Sequence, residues 1–66
     1  MNIVIVGTGY VGLVTGVGFA EQGHTVSFID LDSSKIEKLK NKQLPFFEPD
    51  LDTYFSKKEN LNRMSF

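Results

Sequence analysis

A chain of 66 residues is long enough for one small domain or for a piece of a larger one. Seven basic and eight acidic residues give a net charge of −1, which leaves no electrostatic footprint for nucleic acid or an anionic membrane. Cysteine is absent, so a disulfide framework, a thiolate metal site and a cysteine nucleophile are excluded within this stretch.

A domain of this size buries only about 60% of its unfolded surface, so its stability is marginal. The single histidine, His24, has no ligand cluster beside it in sequence. The apolar run at the N-terminus is far shorter than the ~20 residues of a membrane span. It lacks the basic start and small-residue cleavage site of a secretory signal. With no cysteine to pair, the expected setting is the cytoplasm.

Taken in chain order, Ile3–Val6 is apolar at every position. That suits a central parallel strand covered on both faces. Gly7-Thr8-Gly9-Tyr10-Val11-Gly12 follows at once, and a helical pattern runs from about Tyr10 or Val11 to Gln22. Gly12, Gly16 and Ala20 stack on one helix face, while Val14, Val17 and Phe19 supply bulk. Interior glycines at 12, 16 and 18 each forgo roughly 1 kcal/mol relative to alanine. Close approach to the sheet or to a ligand would offset that cost. Gly23 is placed to cap the helix in the left-handed conformation.

Thr25–Ile29 reads as a second strand, and Asp30 ends it. Asp32, Ser33 and Ser34 are N-cap candidates for a second helix, and Ser34 with Glu37 has the spacing of a capping box. That helix is expected from Ser34 to Lys42, with Ile36 and Leu39 inward and its lysines solvated. Residues 43–49 form a loop with two prolines, and Pro49 suits the first position of a third helix. Leu51, Tyr54 and Phe55 give that helix one apolar face. The polar run from Lys57 to Asn60 is expected to end it, and Arg63–Phe66 reads as the opening of a third strand. The order is β-α-β-α-α-β. The fold class is α/β, the incomplete N-terminal part of a Rossmann-type parallel sheet, and the chain reads as the opening piece of a longer protein.

Strand, glycine turn and helix together give the G-x-G-x-x-G string its meaning. Gly7 can take the φ that a tight turn needs. Gly9, without a Cβ, admits a pyrophosphate against the main chain, and Gly12 lets helix and strand close up. The first amides of the helix have no partner inside it, and the helix dipole is positive there, so the turn holds an anion without a basic side chain. Asp30 lies roughly 20 residues beyond the turn, at a strand end, as a dinucleotide fold requires. A carboxylate there accepts bonds from the adenosine ribose diol and repels the 2′-phosphate of NADP, so NAD is the expected cofactor. Lys35 reads physically as a solvated lysine, although it could reach the adenosine half. Asp32 reads as a helix cap and His24 as a turn residue. Glu48 reads as a buried cap or a loop-fixing hydrogen bond, and Phe46 and Phe47 as core or domain-contact residues.

Residues 2–13 together with Phe19–His24, Asp30-Leu31-Asp32 and Lys35-Ile36 resemble the N-terminus of the UDP-glucose/GDP-mannose dehydrogenase family. The loop Leu44-Pro45-Phe46-Phe47-Glu48-Pro49 with Leu51 strengthens the resemblance. One departure is Asp50, where the family usually has glycine. The resemblance implies that Gly7, Thr8, Gly9, Tyr10, Val11 and Gly12 hold the NAD pyrophosphate, that Asp30 holds the ribose, and that Lys35 is also an NAD contact. It further implies an oligomeric full-length enzyme that oxidises a nucleotide sugar, such as UDP-glucose, to the carboxylate with two NAD. The cysteine, lysine and asparagine of that reaction belong to later segments, so this stretch carries no catalytic residue and is expected to be inactive alone. Two other readings share the turn. A non-enzymatic NAD-sensing module of a regulator has no need of the Pro-Phe-Phe-Glu-Pro loop. A flavin enzyme more often carries glutamate where Asp30 stands.

Overall fold

The computed structural model describes all residues from Met1 to Phe66. The elements are β1 (Asn2–Val6), α1 (Tyr10–Glu21), β2 (Thr25–Ile29), α2 (Ser33–Lys40), α3 (Pro49–Phe55), α4 (Lys58–Arg63) and β3 (Met64–Ser65). The three strands form one parallel sheet in the order β1-β2-β3. Asn2 to Val6 pair in register with Thr25 to Ile29, and Val26 and Ser27 pair with Met64 and Ser65. The α/β class and the parallel sheet are as the sequence predicts.

α1 packs across β1 and β2, and α3 and α4 pack on α1. The core is Leu13, Val17 and Ala20 of α1, Val26 and Phe28 of β2, Leu39, Leu51, Phe55 and Met64. Leu13, not Val14, is the inward residue at the head of α1; Val14 is 40% exposed. A Cβ on Gly16 would overlap Cζ and Cε1 of Phe28, so that glycine is what lets helix and sheet meet. Gly18 has no such reason, for its Cβ direction is open.

β1 is an edge strand here, not a covered central one. Ile3 and Ile5 are half-buried, and Ile5 packs against the core. Val4 and Val6 are 59% and 82% exposed, because α1 packs on β1 from the opposite face, against Ile5.

Helices α1 and α2 both end with a left-handed residue. Gly23 has φ 98°, its amide donates to the Ala20 carbonyl (2.9 Å), and the His24 amide donates to that of Phe19 (3.0 Å). This is a Schellman motif. The His24 ring meets Phe19 edge-on at 5.8 Å, the turn role expected of it. α2 ends the same way two residues earlier than predicted. Lys42 takes φ 64°, its amide donates to the Leu39 carbonyl, and the Gln43 amide donates to that of Lys38. At the other end of α2 the cap is Asp32. Its carboxylate accepts the amides of Ser34 and Lys35 and the Ser34 hydroxyl, so Ser34 lies inside the helix and forms no capping box with Glu37.

α4 is the element the sequence does not suggest. The run Lys57–Asn60 does not end the helical region but opens a fourth helix. Polar bonds to the end of α1 hold it. Asn60, 1% exposed, donates to Glu21 Oε2 (2.6 Å) and to the Tyr54 carbonyl (2.8 Å). Lys57 pairs with Glu21 at 2.9 Å, and Arg63 donates to the Ala20 carbonyl at 3.1 Å.

Candidate functional site

The glycine turn and the end of β2 form one hydrogen-bonded unit. The Gly7 amide continues the β1–β2 ladder by donating to the Ile29 carbonyl at 2.7 Å. Gly7 then turns with φ 98°, which L side chains rarely adopt. Thr8 follows, wholly buried. Its amide (2.7 Å) and its hydroxyl (2.6 Å) both donate to Oδ2 of Asp30. The other carboxylate oxygen, Oδ1, accepts the Asp32 amide at 2.8 Å.

These donors favour the ionised form of Asp30. The Thr8 hydroxyl contributes most, followed by the Asp32 and Thr8 amides, with a smaller part from the Lys35 charge. Together they lower its pKa from 3.8 to about 2, against a smaller upward pull from burial. Asp32 is likewise lowered, chiefly by the Ser34 hydroxyl. Lys35 is half-buried and in no salt bridge, since the one ion pair of the structure joins Lys57 and Glu21.

α1 begins beside this unit with no side-chain cap. Its first main-chain bond runs from the Leu13 amide to the Gly9 carbonyl (3.0 Å). The amides ahead of it have no partner within the helix. A Cβ on Gly9 would meet nothing within 4 Å, so the approach to those amides is open. A Cβ on Gly12 would fall on the Gly7 carbonyl oxygen and lie 3.4 Å from Ile5 Cγ2, so Gly12 is required by the turn itself. Exposed Tyr10 and Val11 stand at the same helix start. The donor set of free amides at a positive helix end, beside an ionised carboxylate, fits a dinucleotide: diphosphate on the first, ribose diol on the second.

The loop before α3 is tied to this end of the molecule. The Phe46 ring is 5.8 Å from that of Tyr10 and packs against the core, whereas Phe47 is 92% exposed. Glu48 occupies the N-cap position of α3 but its side chain caps nothing, contrary to the hydrogen bond expected of it. A groove of about 470 Å³ runs between α1 and α3, past Val14, Gly18, Glu48 and Leu51. It shares only Tyr10 with the glycine turn and does not include Asp30, so it is separate from the unit formed by the turn and that carboxylate.

Fold and site together define the class of a nucleotide-binding domain of the Rossmann type, with the glycine turn at its first strand. The family model for the NAD-binding domain of UDP-glucose/GDP-mannose dehydrogenases matches residues 1–66. The chain belongs to that family.

It is 47% identical to a UDP-glucose 6-dehydrogenase of Bacillus subtilis and 47% identical to one of Rhizobium meliloti, over 66 residues in each case. All of this chain and 15% of each relative are covered. The solved UDP-glucose dehydrogenase of Pyrobaculum islandicum superposes with a TM-score of 0.88 at 35% identity, over 98% of this chain and 15% of that one. A GDP-mannose dehydrogenase of Pseudomonas aeruginosa gives 0.86 at 34%, with the same coverage. The chain thus spans about 15% of the length of the relatives it matches.

Proposed function

We propose that these residues are the opening part of the coenzyme domain of a nucleotide-sugar dehydrogenase, whose intact form oxidises the C6 alcohol of UDP-glucose to the carboxylate with two NAD. The observation that carries the proposal is the juxtaposition of uncapped helix amides with the ionised Asp30 carboxylate in a member of this family. Relatives close in sequence are named UDP-glucose 6-dehydrogenases, which favours UDP-glucose over GDP-mannose. Val4, Val6 and Ile29 leave an apolar sheet face exposed. Parallel sheets are covered on both faces, so further chain is expected to pack there.

In this reading the amides at the start of α1, from Gly9 to Gly12, hold the diphosphate. Gly7 and Gly12 shape the turn, Asp30 takes the adenosine ribose, and Lys35 adds a cation on the same side. Bound NAD supplies a hydride acceptor, and the residues of this chain bind and orient it. Catalytic groups and the sugar-nucleotide pocket belong to the remainder of the protein, which acts as an oligomer in the cytoplasm. No observation favours a regulator over a dehydrogenase.

Calorimetric titration of the intact protein with NAD and NADP tests the coenzyme assignment. NAD is expected to bind more tightly, and Asp30→Ala to erase the preference. Equal affinity for both coenzymes in the unmutated protein would overturn it. NADH formation with UDP-glucose against GDP-mannose decides the sugar.

A further inference from the structure

The Asp30 carboxylate is not a free-standing ligand. Three of its roughly four acceptor positions are already filled from within the chain. Two of the three donors belong to Thr8, the residue between the first two glycines of the turn. Thr8 is wholly buried and both its donors point at Asp30, so its side chain is not available to a coenzyme.

We infer that Thr8 is a positioning residue: by clamping Oδ2 of Asp30 to the glycine turn, it fixes the spacing between the amides that take the diphosphate and the carboxylate that takes the ribose. This rests on the proposed NAD site and deepens it. A dinucleotide presents its diphosphate and its adenosine ribose at a set separation. A turn and a strand end that moved independently would have to be ordered at each binding event. The clamp does that ordering in the folded protein. It leaves one acceptor position on Asp30 for a hydroxyl of the diol, beside a full negative charge that opposes a 2′-phosphate. A carboxylate released from Thr8 could rotate away from such a phosphate, so the clamp also sharpens the choice of NAD over NADP.

Thr8→Val keeps the shape and the main-chain amide and removes only the hydroxyl donor. Thr8→Ser restores the donor. In the intact protein Thr8→Val is expected to weaken NAD by roughly three- to tenfold, the cost of ordering the released carboxylate at each binding event, and to narrow the NAD:NADP ratio. Thr8→Ser is expected to keep both near the parent values. Carboxyl-carbon NMR gives a reading that needs no coenzyme. The Asp30 titration is expected to rise from about 2 toward 3.8 in Thr8→Val and to stay low in Thr8→Ser. Should Thr8→Val fold poorly, Thr8→Ala, which fills less space, carries the same comparison. A Thr8→Val protein that keeps its NAD affinity and its ratio, while the parent still prefers NAD, overturns the clamp and leaves the NAD site standing. A parent without that preference refutes the NAD site instead.

Discussion

Gly16 and Gly18 lie two residues apart on α1, and the same substitution should act on them with opposite sign. Alanine in place of a helical glycine gains up to about 1 kcal/mol from reduced backbone freedom. At Gly18 nothing opposes that gain, because the Cβ direction is open. Gly18→Ala should stabilise by about 0.5–1 kcal/mol, a rise in Tm of roughly 2–8 °C for a domain of this size. At Gly16 the new methyl overlaps the Phe28 ring, with Ile5 Cγ1 only 3.3 Å away. Phe28 cannot yield easily. It is 3% exposed and stacked on Phe66 at 5.3 Å with an interplanar angle of 17°. Overpacking of this kind costs about 1–3 kcal/mol. Set against the helical gain, Gly16→Ala should lose on the order of 1–2 kcal/mol, a large fraction of what a core this small supplies. Urea and thermal melts of both variants, read with their m-values, give the answer. Phe28→Leu in the Gly16→Ala background should recover part of the loss, because the ring is the obstacle. A Gly16→Ala protein as stable as the parent, or a Gly18→Ala protein less stable, would refute the account of why this helix tolerates glycine.

Four further outcomes follow from contacts elsewhere. Asp30 is stabilising in the ionised form, since its folded pKa of about 2 lies below its ordinary 3.8. Its contribution is complete above the ordinary value and lost as pH falls toward 2, and in Asp30→Asn that part of the acid unfolding curve should flatten. Asn60→Leu removes a buried amide that donates to both Glu21 and the Tyr54 carbonyl, and should cost roughly 1–3 kcal/mol in a urea melt. Asn60→Asp, which sets a second carboxylate against Glu21, should be worse at neutral pH than at pH values low enough to protonate one of the pair. Lys42→Gly relieves a left-handed lysine and should raise stability by about 0.5–1 kcal/mol, measured by thermal melt.

Much of the geometry of the candidate site was legible because it depends on short-range backbone demands. Gly7 turns with positive φ, Gly12 closes on the Gly7 carbonyl, Gly23 caps α1, and Asp32 caps α2. Each is a requirement of a residue type at its own position. The parts that were not legible join positions far apart. α4 has little apolar periodicity, and its hold on the fold comes from Asn60 and Lys57 meeting Glu21, and from Arg63 meeting the Ala20 carbonyl. Polar partners some forty residues apart leave no local pattern. Lys42 was missed for a related reason: a left-handed cap is read from glycine or asparagine, and Lys42 is neither.

The Thr8–Asp30 pair lies between these two cases. Both residues stand out in sequence, one as the hydroxyl inside the glycine turn and the other as the acid ending the second strand. Only the parallel register of Val6 with Ile29 brings the positions that follow each strand side by side. The sheet is therefore part of the site's chemistry as well as its support. One ladder bond further, from Gly7 to Ile29, fixes the level at which turn and carboxylate meet. A slip of β1 against β2 by one residue would move the Thr8 donors about 3.3 Å away from Asp30 and turn Val4 and Val6, in place of Ile3 and Ile5, toward α1. The core pattern that selects the register, Ile3 and Ile5 on the side of α1 with Val26 and Phe28 buried, thereby also sets the geometry of the candidate site.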